Sequence, residues 1–281
     1  MRDKLHDLLA RLGFHGMTAT LDAEIARAER EAAPAPELLY RLLCEEAASR
    51  RQRSLAYRLD QAKLPWEWTL DTFPFERQPG VNKGQIKGLA DLDFLRRNDN
   101  VLLIGAAGVG KTGIAIGLLR EACLNGYRGR FYSAQALLDE LYASLADRST
   151  AGLLKRLSSM QPLVIDELGI LTLKPEQVNA FFRLMDARYN RVSTIITTNL
   201  EPSEWYELFQ RKPLVDALLD RLQHHCITIR IDGPSLRSPE PPPPVQPAPD
   251  IPSGKGTAAG KRPKASSHPA PKRVRPAEQE L

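Results

Sequence analysis

No run of about 18 consecutive apolar residues occurs in the 281-residue chain, so no segment reads as a membrane-spanning helix. Cysteine is scarce. Cys44, Cys123 and Cys226 stand far apart with no metal-ligand spacing, which argues against a disulfide framework or a zinc module. They read as reduced, semi-buried thiols. The first residues lack both the apolar core and the small-residue cleavage site of a secretory signal, so a cytoplasmic protein is expected. No repeat of fixed period is found. Neither sign of charge dominates: 39 Lys and Arg stand against 34 Asp and Glu, a net charge of +5.

Three regions follow from composition and periodicity. Residues 1–65 read as a small all-α N-terminal domain. Leu5, Leu8, Leu9 and Leu12 follow the i, i+3, i+4, i+7 rule. Gly13 and Gly16 interrupt that helix, a second is expected over 18–30, and a third over 37–62 after Pro34 and Pro36. The third places Leu38, Leu39, Leu42 and Leu43 on its apolar side. It also carries Arg50, Arg51, Arg53 and Arg58 close together, either DNA-phosphate contacts or a solvated helix face. The core of this region is short of aromatics and is expected to lean on a partner or on the larger domain.

Residues 66–237 turn α/β after a connector that ends near residue 98. Apolar strands are expected at 100–105, 130–133, 163–166, 194–198 and 227–231, with helices at 111–125, 134–146, 175–190 and 214–223 between them. Apolar strands alternating with helices imply a mainly parallel sheet covered on both faces. Residues 238–281 contain 12 of the 22 prolines and too little apolar surface to offset chain entropy, so a disordered, proline-rich basic tail is expected.

The chemistry concentrates in the middle region. Gly105-Ala106-Ala107-Gly108-Val109-Gly110-Lys111-Thr112 fills the P-loop pattern G-x-x-x-x-G-K-[ST] between an expected strand and an expected helix. Gly105, Gly108, Val109 and Gly110 let backbone N–H groups wrap around phosphates at a helix N-terminus. Lys111 is expected to reach the β- and γ-phosphates, and Thr112 to ligate Mg²⁺. Leu163-Val164-Ile165 then delivers Asp166 and Glu167 at a strand end. Asp166 suits Mg²⁺ held through water, and Glu167 suits activation of the attacking water. That water-activating acid argues against a small-molecule kinase, which must exclude water. The Asn-Lys dipeptide at Asn82 precedes the P-loop and lacks the guanine-binding continuation, so ATP is favoured over GTP by elimination. Asn199 ends an apolar strand expected between the P-loop strand and the acidic one, where its amide faces the γ-phosphate. Arg221 is a candidate arginine finger and Arg237 a candidate sensor, each open to reading as a surface or salt-bridging arginine.

These stretches together resemble the IstB-like transposition helper ATPases, relatives of the DnaC helicase loaders within the AAA+ class. The resemblance runs from about Leu8 to Arg237. It includes Leu12-Gly13-Phe14-His15-Gly16-Met17, the strand into the P-loop, Asp166-Glu167-Leu168-Gly169, Arg188-Tyr189, Thr198-Asn199-Leu200, Trp205, and Asp220-Arg221-Leu222. It implies a P-loop AAA+ three-layer sandwich and ATP-promoted self-assembly into a homo-oligomer. It further implies duplex-DNA binding without strong sequence preference and delivery of a partner transposase to target DNA. It also implies that Arg221 is the finger acting in trans and Arg237 the second sensor. Two positions depart from the family pattern: Gly113 stands where a His is usual, and Gly233-Pro234-Ser235-Leu236-Arg237 replaces a motif close to G-E-S-Y-R. A DnaC-like replicative helicase loader is the alternative reading. A module that holds ATP without turnover is another.

Overall fold

A computed structural model describes residues 1–169 and 173–237, with only the backbone of Leu222 and Gln223; the expected tail at 238–281 lies outside the described residues. Three helices lead the chain: α1 (Arg2–Arg11), α2 (His15–Glu31) and α3 (Ala35–Ala62). Leu9, Met17, Leu21 and Leu42 form their small common core. The apolar stripes of α1 and α3 are only partly covered, since Leu5, Leu8, Leu12, Leu39 and Leu43 stay exposed. Gly13 breaks the chain at a φ of 74°, as expected, but Gly16 sits inside α2 rather than ending a helix. The reason is a close helix contact: a Cβ at residue 16 would lie 2.7 Å from the Glu45 carbonyl oxygen of α3. There the buried Glu46 carboxylate accepts from the Gly16 and Met17 amides at 2.7 and 3.3 Å, satisfying donors that a helix start leaves open.

The connector carries two helices that periodicity did not reveal, α4 (Lys83–Ala90) and α5 (Asp93–Arg96). Asn82 caps α4 by accepting from the Gln85 amide at 3.1 Å. Next come β1 (Asn100–Gly105), α6 (Lys111–Leu124), β2 (Arg130–Ser133), α7 (Ala134–Ala146), α8 (Thr150–Ser158), β3 (Leu163–Leu168), α9 (Pro175–Arg188) and β4 (Thr194–Thr198). The described chain then closes with α10 (Trp205–Phe209), α11 (Lys212–His224) and β5 (Cys226–Ile231). Helices α8 and α10 were not expected either; both are short, and their apolar residues do not repeat long enough to stand out.

The five strands form one parallel sheet in the order β2-β3-β4-β1-β5. Strand alternation sends successive side chains to opposite faces. Leu102, Ile104, Ile165 and Ile196 thus pack against helices α7 to α11, while Val101, Leu103, Val164, Ile195 and Ile229 pack against α4, α5 and α6. The result is the three-layer α/β sandwich expected. Because β4 lies between β1 and β3, the C-terminal ends of three adjacent strands gather the P-loop, the Asp166-Glu167 pair and Asn199 at one edge of the sheet. Cys123, on α6, is buried in the core, whereas Cys44 is exposed rather than semi-buried.

Candidate functional site: a phosphate loop and two carboxylates

The loop between β1 and α6 takes backbone angles open to glycine: φ is 85° at Gly108 and 100° at Gly110. Space is equally restrictive. A Cβ at Gly108 would meet the Ser235 hydroxyl at 2.2 Å, and one at Gly110 the Phe73 ring at 2.7 Å. Val109 is buried beneath the loop. The Lys111 ammonium donates to the Gly105 and Ala106 carbonyls at 2.7 and 2.8 Å, curling the side chain over the loop. Burial holds its pKa below the ordinary lysine value, against the opposing pull of Asp166 and Glu167.

In a regular strand Asp166 and Glu167 would face opposite sides of the sheet. The register between β3 and β4 shifts between Ile165 and Leu168, and Glu167 has a φ of 61°. This irregularity re-aims the strand end, as β-bulges do, and both acids line one cavity. Thr197 secures the arrangement. Its hydroxyl donates to Asp166 Oδ1 at 2.6 Å, and the Glu167 amide donates to the same hydroxyl at 2.9 Å. Thr112 Oγ1 donates to Asp166 Oδ1 at 2.9 Å. Burial nevertheless pushes the Asp166 carboxyl above the ordinary aspartate value, with the two threonine hydrogen bonds pulling the other way. A buried carboxylate short of positive charge beside a hydroxyl is a donor set that fits a hard divalent cation.

The cavity measures about 650 Å³. Besides Gly108, Gly110, Lys111, Thr112 and the two acids, its wall includes Asn199 and Arg237. Asn199 approaches through a gap left by Gly169, where a Cβ would sit 3.0 Å from the amide oxygen. Arg237 follows a turn fastened to the loop: the Leu236 amide donates to the Gly108 carbonyl at 2.9 Å. Gln78, fully buried, donates to the carbonyls of Val109 and Pro234 at 3.1 and 2.9 Å. Pro234, which departs from the family pattern, thus serves here as an acceptor and needs no N–H.

The other expected residues lie elsewhere. Arg221 does not line the cavity; it pairs with Asp186 and lies over the Tyr189 ring, 5.5 Å from its centroid. Of the four α3 arginines expected at DNA, three have internal partners. Arg50 and Arg53 reach Glu46 at 2.7 and 3.3 Å, and Arg58 donates to the Cys123 carbonyl at 2.8 Å. Arg51 is exposed and has no such partner among the described residues. Sequence reasoning missed Thr197, Gln78, and the pair Trp66 and Trp68, which line the same cavity. Thr197 alone left a local sign, a hydroxyl inside an apolar strand.

A parallel sheet in this order, with a P-loop after β1 and an acidic pair at the end of β3, defines a P-loop ATP-binding protein of the AAA+ class. The model of the IstB-like ATP binding protein family matches residues 7–240, and the chain belongs to that family. It is 36% identical over 234 residues to an ATP-binding protein of insertion sequence IS21 from Pseudomonas aeruginosa, covering 83% of this chain and 88% of the relative. It is 33% identical to the corresponding protein of IS5376 from Geobacillus stearothermophilus, covering 84% and 94%. Among solved structures, the DnaC helicase loader superposes with a TM-score of 0.51 at 26% identity, covering 61% of this chain and all of the other. DnaI shares the fold at 17% identity and a TM-score of 0.52, covering 59% and 92%.

Proposed function

We propose that this protein is a Mg²⁺-dependent ATPase that assembles on duplex DNA without strong sequence preference and recruits or activates a partner transposase. The observation that carries the reading is the single cavity holding Lys111, Thr112, Asp166, Glu167 and Asn199. Lys111 and the loop amides bind the phosphates; Thr112 and Asp166 hold Mg²⁺, which when bound neutralises charge on the phosphate oxygens. Glu167 orients the attacking water and takes its proton, and the Asn199 amide positions that water against the γ-phosphate. Arg237, on the same wall, senses the phosphates. Arg221 lies outside its own protomer's cavity, which supports its acting on a neighbour's nucleotide, so that ATP bridges subunits. Relatives named as insertion-sequence proteins are 36% and 33% identical to this chain, against 26% for the DnaC loader, which favours transposition over helicase loading.

The test measures single-turnover ATP hydrolysis with and without duplex DNA, and particle size with ATP, with ADP, and with ATP plus DNA. Hydrolysis together with larger particles in ATP and DNA is expected. ATP binding with no turnover under any condition would make the protein a holding module instead.

A further inference from the structure

Trp66 and Trp68 are 57% and 40% exposed, whereas the third tryptophan, Trp205, is fully buried. Both exposed rings line the cavity of the phosphate loop. The position of Trp68 depends on a glycine. A Cβ at Gly113, the third residue of α6, would lie 2.2 Å from Cε3 and Cζ3 of the indole. One turn further along α6, a Cβ at Gly117 would lie 2.6 Å from Leu70 Cδ2. Two residues of extended chain advance about 6.6 Å, close to the roughly 6 Å of four helical residues. Gly113 and Gly117 therefore form a track on which the segment 68–70 lies flat, with its side chains filling the places of absent ones. The space that a side chain at position 113 would occupy belongs to the indole.

Phosphates held by a P-loop lie across the first turn of the following helix. The rest of a nucleotide leaves that turn through the cavity, whose wall there includes Trp68. Of the rings near the loop, Phe73 is closed off at 4% exposure and Phe131, on β2, lines the cavity but is partly buried, while Trp66 and Trp68 are the exposed rings of the cavity wall. We propose that Trp68, seated on Gly113, is the platform against which the nucleobase stacks, with Trp66 flanking it. The proposal rests on reading the cavity as a nucleotide site and names the residues that grip the base rather than the phosphates. Stacking of a base on an aromatic side chain contributes enough that removing the ring weakens binding by about tenfold or more.

The experiment compares two probes on the full chain, ATP and inorganic triphosphate, each with Mg²⁺, by calorimetry. Trp68→Ala should weaken ATP binding about tenfold and leave triphosphate binding within about twofold. Trp68→Phe should restore most of the ATP affinity. Gly113→Ala, which keeps both tryptophans but displaces the indole, should show the same selective loss as Trp68→Ala. Undiminished ATP binding in Trp68→Ala, or an equal loss for both probes, would overturn the proposal and leave Trp68 as packing. If the unaltered protein binds neither probe, the nucleotide reading itself fails and takes this one with it. Fluorescence gives an independent check: ATP should change the emission of Trp66 and Trp68 where triphosphate does not, and identical responses would also overturn the proposal.

Discussion

Arg221 Nη2 lies 2.8 Å from Asp186 Oδ1, joining the last turns of α11 and α9 outside the lining of the protomer's own phosphate-loop cavity. The guanidinium is one-third exposed and the carboxylate nearly two-thirds, so the pair is worth little, on the order of 0–1 kcal/mol. In the proposed assembly a neighbouring subunit's triphosphate would offer the same guanidinium more negative charge in a drier setting. The contact with Asp186 would then be a resting place that assembly displaces.

Arg221→Ala should keep ATP binding, because Lys111, Thr112 and Asp166 are untouched, and should lose hydrolysis by about a thousandfold. Mixing it with Lys111→Ala subunits should restore part of the activity at interfaces that pair the intact loop with the intact arginine. Co-assembled mixtures without activity would place Arg221 outside trans catalysis. Asp186→Asn should ease ATP-driven assembly, lowering the protein concentration required by up to about fivefold. Sedimentation in ATP reads that shift.

Glu167→Gln should bind ATP normally, hydrolyse it at least a hundredfold more slowly, and accumulate in the assembled form. Its amide N–H bond to Thr197 comes from the backbone and survives the substitution. Wild-type turnover in this variant would remove Glu167 from the reaction.

Asp166 yields a pH-dependent prediction with a definite sign. Its folded pKa is raised by burial, so the native state holds this proton more tightly than the unfolded chain does. Stability from this group is complete below the ordinary aspartate range and is lost as pH rises through the raised value. At neutral pH the nucleotide-free protein thus buries an undercompensated charge. Asp166→Asn should raise its Tm at pH 7 by about 1–3 °C, with the gap closing in acid, and should abolish any extra stabilisation that Mg²⁺ adds to ATP. A lower Tm at pH 7 would show that the hydrogen bonds from Thr112 and Thr197 outweigh the burial.

The arginines of α3 should separate by role. Arg51→Ala should reduce the salt slope of DNA binding by about 1 without loss of stability. Arg58→Ala should instead lower Tm, because Arg58 donates to the Cys123 carbonyl at the end of α6. Equal salt slopes for Arg51→Ala and the unaltered protein would exclude Arg51 from the DNA surface.

The sheet was legible because each strand is a short apolar run ended by a polar or glycine residue, and β1, β2 and β4 carry the expected bounds. The P-loop and the Asp166-Glu167 pair were legible for the same local reason. What escaped was set by distance or by short range. Nothing in Leu163-Val164-Ile165-Asp166-Glu167-Leu168 announces the irregularity that turns both acids to one side. The seat of Trp68 on Gly113 and the bonds from Gln78 to Val109 and Pro234 join segments far apart in the chain. The leucine stripe of α1 has the period of a helix, but periodicity does not say that Leu9 alone of α1 is buried.

The placement of β1 sets an order of events during synthesis. Its hydrogen-bonded neighbours, β4 and β5, are among the last described elements to be made. A growing chain therefore carries the whole glycine-rich motif long before it has a phosphate-binding shape, because the strand that presents the motif has β4 alone as a flank until Ile231 has docked beside Gly105. Such late, long-range pairing is slow and leaves an apolar strand waiting. Nucleotide cannot guide folding before that moment, and a fragment ending ahead of β5 should bind no ATP despite an intact motif. ATP affinity is thus a measure of whether the sheet has been completed.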